Sequence, residues 1–203
     1  MFESSPLAAK MAQAAYSMDP PKQIGSFHLL QNDPTLKFYV NGNNVIISVR
    51  GTKKTEAKDY QTWGLIPLGQ LSKSQRYKDD EKIIKRFRAM NPRHNYYAVG
   101  HSLGSSIIDL LLNKGLVKSA VTFNGAIEPH YIRYKNANHR IYNENDPLYA
   151  LMGQFSINPE VRKNTPTEWW ETIASGFPVA NNVVEIYKRL QAHRVENITN
   201  TNA

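Results

Sequence analysis

Five consecutive residues contain the strongest candidate for a catalytic nucleophile in this chain. Gly100, Ser102 and Gly104 have the spacing Gly-x-Ser-x-Gly, and they stand between a short aromatic run and a long apolar run. When such a segment joins a strand to a helix, its glycines let the two elements approach closely, and the turn lifts the serine hydroxyl out of the sheet. The pattern therefore predicts acyl transfer to Ser102. The alternative is a glycine-rich turn in which the serine has no catalytic task.

Acyl transfer places a negative charge on an oxygen atom, and backbone N–H groups must stabilise that charge. A helix that starts after Ser102 would supply the N–H of Leu103 and the positive end of the helix dipole. The second donor must come from a loop that follows another strand. Thr52, in the segment Arg50-Gly51-Thr52 after a β-rich run, is the predicted second donor. The alternative is that this segment is an ordinary turn.

A serine nucleophile needs a histidine to accept its proton, and the chain has six histidines. When a serine nucleophile lies on such a strand-to-helix turn, the acid and then the histidine follow it in the chain. This order excludes the first two histidines of the chain, which precede Ser102. His101 adjoins the serine in a tight turn, so its side chain should point elsewhere, and we assign it a packing or hydrogen-bonding role. His130 and His139 precede the best acid, which leaves His193 as the predicted base. The alternative for His193 is a surface histidine near a helix end.

The acid that orients the histidine should follow a strand, at the edge of the sheet where the loops meet. The segment HRIYNENDPLY has a β-rich run followed by Asp146-Pro147. Asp146 is the predicted acid, because its carboxylate would fix the tautomer of His193 and stabilise the imidazolium. Two alternatives stay open. Asp-Pro is also a good start for a helix, and Glu144 is the second choice of acid.

The elements that must position these residues can be predicted from turn and helix signals. Strands are expected near 36–40 and 44–50, joined at Asn41-Gly42, because Asn-Gly tolerates the positive φ angles of a tight hairpin. An amphipathic helix is expected over 72–90, where apolar residues recur at helical spacing after serines that can cap it.

The segment around Ser102 predicts a strand, a turn and a buried helix, with Gly115 as the helix stop. VKSAVTFNG and HRIYN predict two further strands, and ANNVVEIYKRLQAH predicts a late amphipathic helix. Strands that alternate with helices are typical of a mostly parallel sheet with helices on both faces. The predicted fold is a single α/β domain over the whole chain, of α/β-hydrolase type, in which the hairpin forms an antiparallel start.

Composition and charge exclude several classes of site. The chain has no cysteine, which excludes disulfides, thiolate nucleophiles and Cys-based metal sites; we expect no metal and no organic cofactor. We expect a cytoplasmic protein, since no secretory leader or membrane-spanning run is visible. The net charge of +8 favours peripheral contact with anionic membrane surfaces, with a merely solvated basic face as the alternative. No nucleic-acid partner is expected, because the known binding signatures are absent.

The sequence resembles the class 3 lipase family, the fungal-type triacylglycerol lipases and their relatives. The resemblance rests on VIISVRGT, on YYAVGHSLGSSIIDLLL and on NENDPLYAL, together with a late histidine. An Ala-rich first helix that ends in Tyr16 is also similar to the start of that family. These features span most of the chain, and the GHSLG and RGT segments are the specific ones.

The resemblance implies a substrate class and a fold. The substrate would be a lipid ester, either an acylglycerol or a phospholipid, cleaved through an acyl-enzyme on an α/β-hydrolase fold. The region after Thr52 would correspond to a lid or pocket wall, where Trp63, Leu65 and Ile66 would contact acyl chains; ordinary core packing is the alternative. For the whole chain, the alternative is a catalytically inactive lipase-like fold that binds lipid or a partner. The residues carried over are Ser102, Asp146 and His193 for the triad, and Thr52 and Leu103 for the oxyanion hole.

Overall fold

In the part of the chain that the structure describes, eight strands form one sheet in sequence order. The first three pairings are antiparallel and the remaining four are parallel. The computed structural model describes residues 5–52, 62, 65–66, 69–125, 137–143 and 160–162. The strands are β1 (Gln23–Ile24), β2 (Phe27–Asn32), β3 (Leu36–Asn41), β4 (Asn44–Val49), β5 (Asn95–His101), β6 (Ser119–Phe123), β7 (Asn138–Asn143) and β8 (Glu160–Arg162). Within the same residues, the helices are α1 (Ser5–Ala14), α2 (Gln75–Met90) and α3 (Leu103–Asn113), and a 3₁₀ turn spans Leu71–Lys73.

Helices α2 and α3 cover one face of the sheet, and α1 covers the other. Helix α2 connects β4 to β5, and α3 connects β5 to β6, so both crossovers advance in the same direction across the sheet. Right-handed crossovers place such consecutive helices on the same face. The predicted class, a mostly parallel sheet with an antiparallel start and helices on both faces, is confirmed.

Burial along β4 shows how a central strand divides its side chains between the two faces. Val45, Ile47 and Val49 pack on the side of α2 and α3, whereas Ile46 packs on the side of α1. Alternate residues of a strand point to opposite faces, and because both faces are covered here, apolar side chains of this strand point to both of them. The strand that leads to the Arg-Gly-Thr segment is therefore held from both sides.

The turn between β3 and β4 lies one residue later than predicted. Asn41 pairs with Asn44, so Gly42 and Asn43 form a two-residue loop. Gly42 has a φ of 54°. A glycine at the first central position is typical of the type II′ hairpin turn, in which that residue takes the positive φ. Asn41 is therefore the last residue of the strand rather than part of the turn.

Helix α2 begins three residues later than predicted and ends where it was expected. Its N-cap is Ser74, whose hydroxyl accepts a hydrogen bond from the Tyr77 N–H at 3.1 Å. On the buried side, the Phe87 ring stacks on Phe38 with 4.2 Å between the ring centroids. Met90, the last residue, is 60% exposed. The serine cap and one apolar face therefore define this helix, as the spacing predicts.

Helix α3 is buried along almost its whole length and ends in a Schellman motif. The Gly115 N–H donates to Leu112 O at 3.0 Å, and the Leu116 N–H donates to Leu111 O at 2.9 Å. The φ of Gly115 is 64°, the left-handed conformation that this motif requires. The predicted glycine stop is confirmed. Although α3 is apolar, neither it nor another described helix is long and apolar enough to cross a membrane.

Strands β1, β2 and β8 are additions that the sequence does not predict. β1 has two residues and β8 has three, which is too short for an alternating pattern. In β2, every residue after Phe27 is exposed or half-buried, and its Gln31 and Asn32 offer little strand preference. β2 pairs with the edge of β3, β1 pairs with β2, and β8 pairs with the edge of β7.

A buried polar network joins α3 to the strands beneath it. Asp109 on α3 accepts hydrogen bonds from Arg140 Nη2 at 2.7 Å and from Asn138 Nδ2 at 2.9 Å, both on β7. Thr122 on β6 donates to the Asn138 side-chain oxygen at 3.0 Å. Burial raises the pKa of the Asp109 carboxyl, and the Arg140 guanidinium opposes that shift. The network fixes the register of the helix that starts at Leu103.

We expect Asp109→Ala to lower the free energy of unfolding by about 3–5 kcal/mol, because Arg140 is left as an uncompensated buried charge. Urea unfolding followed by circular dichroism measures this loss. The control is Glu81→Ala, which removes ion pairs to the exposed side chains of Lys85 and Lys114 and should cost less than about 1 kcal/mol. Equal losses in the two variants would contradict the role given to the buried pair.

Candidate active site

Ser102 lies in the tight turn between β5 and α3, in a backbone conformation that is rare outside glycine. Its φ is 57° and its ψ is −125°. Such a conformation costs on the order of 1–3 kcal/mol and persists only where the surroundings impose it. Here the Ser102 N–H donates to Phe123 O on β6 at 3.0 Å, and the Ser102 carbonyl accepts from the Ser105 N–H at 2.9 Å. The sharp strand-to-helix turn that the motif predicts is present.

The two glycines of the motif stand where a side chain does not fit. A Cβ atom at Gly104 would overlap the carbonyl oxygen of Val49. A Cβ atom at Gly100 would lie 2.6 Å from Cδ1 of Ile108 and 3.0 Å from the carbonyl carbon of Gly104, whereas carbon atoms in contact are about 3.5–4.0 Å apart. The close approach of strand and helix is therefore the physical reason for both glycines, as the sequence predicts.

The Arg-Gly-Thr segment leaves the end of β4 directly beside this turn. Because β4 and β5 pair in parallel, their carboxyl ends lie at the same edge of the sheet. A Cβ atom at Gly51 would lie 3.1 Å from Cβ of Ser102 and 2.6 Å from the His101 carbonyl oxygen. Thr52 follows Gly51 and is half-buried, and Leu103 is the first residue of α3. The structure thus brings the segment that contains Thr52 next to Ser102 and Leu103.

His101 is buried and forms a hydrogen bond with a residue that the sequence did not assign to the site. Its Nδ1 lies 2.8 Å from the hydroxyl of Tyr16, and the two rings meet edge to face with 5.9 Å between centroids. The same hydroxyl accepts a hydrogen bond from the Gly51 N–H at 3.1 Å. The hydrogen-bonding role predicted for His101 is confirmed. Tyr16 is a site residue that the sequence revealed only as the end of the first helix.

A buried ion pair lies beneath the Arg-Gly-Thr segment. Arg76 Nε and Asp80 Oδ2 are 2.8 Å apart, with side chains 4% and 1% exposed. Arg76 Nη2 also donates to Arg50 O at 2.7 Å, and the Thr35 hydroxyl donates to Asp80 at 2.5 Å. Burial raises the pKa of the Asp80 carboxyl, and the Arg76 guanidinium opposes that shift. The sequence contains the i, i+4 spacing of the pair, but it gives no sign of the contact with Arg50.

Solved structures of fungal lipases are similar to this chain. A triacylglycerol lipase from Penicillium expansum has a TM-score of 0.50 at 16% identity, and the match covers 82% of this chain and 80% of that chain. This chain has an α/β-hydrolase fold. The Lip2 lipase from Yarrowia lipolytica has a TM-score of 0.48 at 14% identity, with 72% of each chain covered. No family model and no curated protein matches the sequence.

In the α/β-hydrolase fold, the acid and the histidine come from loops at the carboxyl edge of the parallel strands. Strand β7 runs in the same direction as β5 and ends at Asn143, shortly before Asp146. Asp146, the second-choice acid Glu144 and His193 lie outside the described residues. Their roles remain predictions.

The residues predicted to contact acyl chains are described in part. Ile66 is fully buried and belongs to the core on the side of α2 and α3, and Leu65 is half-buried. Backbone hydrogen bonds join Leu65 O to the Gln70 N–H at 2.9 Å and Ile66 O to the Gly69 N–H at 3.0 Å. Trp63 lies outside the described residues. Contact of Trp63, Leu65 or Ile66 with an acyl chain stays a prediction.

We expect Gly104→Ala to destabilise the protein by roughly 1–3 kcal/mol, because the new methyl group must displace the Val49 carbonyl. A loss of stability would be informative, because replacing glycine with alanine in a helix otherwise stabilises a protein by about 1 kcal/mol. Thermal and urea unfolding measure the change. Lys78→Ala, an exposed change in the first turn of α2, is the control and should shift stability by less than about 0.5 kcal/mol. A more stable Gly104→Ala protein would contradict the close approach.

Proposed function

We propose that this protein is a serine hydrolase that cleaves carboxylic ester bonds of lipids through an acyl-enzyme on Ser102. The observation that carries the proposal is the strained backbone of Ser102, with its φ of 57° between β5 and α3. Strain of this kind is concentrated at functional sites. A serine in such a turn presents its hydroxyl at the carboxyl edge of the sheet, where the substrate and the other catalytic groups can meet it.

The hydroxyl of Ser102 does not form the hydrogen bond that is usual for a serine at the start of a helix. Ser102 is the N-cap of α3, and an N-cap serine usually accepts a hydrogen bond from an N–H in the first turn. Here no such side-chain hydrogen bond forms. Helix α3 therefore does not use the hydroxyl, which supports a role for it in chemistry.

In the proposed reaction, His193 accepts the Ser102 hydroxyl proton while the serine oxygen attacks the ester carbonyl carbon. Asp146 orients the His193 ring and stabilises the imidazolium. The N–H groups of Leu103 and Thr52 donate hydrogen bonds to the oxyanion of the tetrahedral intermediate. The intermediate collapses as His193 gives the proton to the leaving alcohol. A water molecule then loses a proton to the same histidine and attacks the acyl carbon. As the bond from that carbon to the Ser102 oxygen breaks, His193 returns the proton to Ser102 and the carboxylic acid is released.

The proposed substrates are lipid esters, either acylglycerols or phospholipids. The structural neighbour from Penicillium expansum is described as a triacylglycerol lipase. The net charge of +8 would concentrate this protein at anionic lipid surfaces. Lys78, Lys82 and Arg86 are exposed on α2 at a spacing of four residues, which places them on one side of the helix. This basic row would contact anionic headgroups.

We expect Ser102→Ala to lower kcat by roughly 10⁴- to 10⁶-fold, because the three catalytic side chains act as a unit. The rate is measured with a soluble p-nitrophenyl ester and with anionic phospholipid vesicles. Ser105→Ala is the matched control, since that serine is buried in the same helix and its hydroxyl lies 3.4 Å from Phe123 O. An unchanged rate in Ser102→Ala would rule out the proposed nucleophile.

Paired substitutions test the acid and the base. We expect Asp146→Asn to lower kcat by about 10⁴-fold, and Glu144→Gln to leave kcat nearly unchanged. His193→Ala should abolish most of the activity, whereas His139→Ala should not, because the His139 ring is bound to a strand-edge carboxylate instead. If Glu144→Gln lowered kcat more than Asp146→Asn, the catalytic acid would be Glu144. If His139→Ala lowered kcat more than His193→Ala, the base would be His139.

A fluorophosphonate probe distinguishes the proposed enzyme from an inactive relative. The probe should label the unmodified protein at Ser102 and should fail to label Ser102→Ala, because it reacts only with an activated serine. A folded, unmodified protein that is never labelled would instead favour a lipase-like fold that binds lipid or a partner without catalysis.

A further inference from the structure

We propose that Tyr16 and Arg76 are positioning residues for the ester hydrolysis, because they hold the two ends of the Arg50–Gly51 peptide unit, the unit before the one that carries the Thr52 N–H. This inference rests on the proposed function. Tyr16 follows α1 on one side of the sheet, and Arg76 belongs to α2 on the other. Their polar groups meet in the loop after β4. They act on the reaction through the direction of the Thr52 N–H.

The two hydrogen bonds end on the same peptide unit. The Gly51 N–H donates to the Tyr16 hydroxyl at 3.1 Å. Arg76 Nη2 donates to the Arg50 carbonyl oxygen at 2.7 Å. This carbonyl and this N–H belong to one planar group, so hydrogen bonds at both ends prevent the plane from rotating. This fixes the plane from which Gly51 leads to Thr52, so the direction of the Thr52 N–H relative to that plane depends only on the two backbone angles of Gly51.

The Tyr16 hydroxyl also joins this peptide unit to the turn that carries the nucleophile. It lies 2.8 Å from Nδ1 of His101, and His101 directly precedes Ser102. The two oxyanion donors of the proposal, at Thr52 and Leu103, come from separate segments and must reach the same oxygen atom. One hydroxyl that contacts both segments sets the distance between them.

The contact with Tyr16 depends on glycine at position 51. A Cβ atom at Gly51 would overlap the Tyr16 hydroxyl and would lie 2.6 Å from the His101 carbonyl oxygen. Both the tyrosine and the turn before the nucleophile therefore approach the backbone where a side chain would normally stand. A residue with a side chain at position 51 would therefore displace Tyr16 or the turn before Ser102.

The guanidinium of Arg76 is itself held in place. Its Nε is bound to Asp80 Oδ2 at 2.8 Å, and Asp80 accepts a second hydrogen bond from the Thr35 hydroxyl at 2.5 Å. The Thr35 carbonyl in turn accepts from the Arg50 N–H at 3.0 Å. The loop after β4 is thus bound to a connected set of polar groups, and Arg76 cannot move away from it without losing its buried ion pair with Asp80.

Tyr16→Phe tests the positioning role, because it keeps the ring and removes the hydroxyl. We expect kcat for a soluble ester to fall roughly 10- to 100-fold with little change in KM, since a displacement of about 1 Å can cost about 100-fold in rate. Tyr96→Phe is the matched control. Tyr96 is buried, whereas Tyr16 is half-buried, and the Tyr96 hydroxyl donates to Asn91 O at 2.7 Å, at the opposite end of β5. Both variants should lose similar stability, and kcat should fall only in Tyr16→Phe.

A second pair of measurements separates positioning from simple loss of stability. Arg76→Lys keeps a cation beside Asp80 but cannot also reach Arg50 O as a guanidinium does, so kcat should again fall while KM is kept. A double-mutant cycle joins Tyr16→Phe to Arg76→Lys. Because both residues hold the same peptide unit, each substitution should cost less in kcat when the other is already present. Full additivity of the two effects would overturn the proposal.

Amide hydrogen exchange at Gly51 tests the same contact without catalysis. We expect faster exchange in Tyr16→Phe, because its acceptor is lost, and no change in Tyr96→Phe. Unchanged exchange would overturn the proposal whether or not the protein hydrolyses esters. An active protein whose Tyr16→Phe variant keeps full kcat would overturn the positioning role and leave the proposed function standing. An unmodified protein that neither hydrolyses esters nor reacts with the fluorophosphonate would overturn both.

Discussion

The candidate site depends on backbone atoms that lie closer together than side chains allow. At Gly104, the start of α3 lies against the Val49 carbonyl, and at Gly51 the loop after β4 lies against the residues that precede Ser102. Because protein interiors are close-packed, neither contact can widen without moving a strand or a helix. The positive φ of Ser102 is maintained by this crowding. The Arg-Gly-Thr segment and the start of α3 are held beside Ser102 by the same crowding.

Two buried Asp–Arg pairs hold the helices that border this crowded region. Asp80 and Arg76 pair within α2, and Arg76 extends to the loop after β4. Asp109 on α3 pairs with Arg140 on β7. Buried ion pairs add little stability compared with apolar side chains of similar volume. What they supply here is a defined position for each helix relative to the strands that end at the site.

Local patterns account for the parts of the site that the sequence predicts. The Gly-x-Ser-x-Gly spacing describes contacts between residues that are close in the chain, and the structure contains the predicted turn. The hairpin and Gly115 were predicted for the same reason, although the hairpin turn starts one residue late. Tyr16 and Arg76 could not be found in this way. Their partners at Gly51 and Arg50 are 35 and 26 residues away, and no short pattern records such a distance. The roles of Asp146 and His193 stay predictions.

Among the strands that the structure describes, each one after β1 pairs with the described strand that precedes it in the chain. A chain that emerges from the ribosome can therefore extend the sheet at one edge, without inserting a strand between two that are already paired. The turn at Ser102 gains its hydrogen bond to Phe123 O only after β6 has emerged. Until the following strand arrives, each newly added strand leaves a row of unpaired backbone groups, the feature through which chains aggregate. During translation, one exposed edge of the sheet therefore moves outward with each new strand.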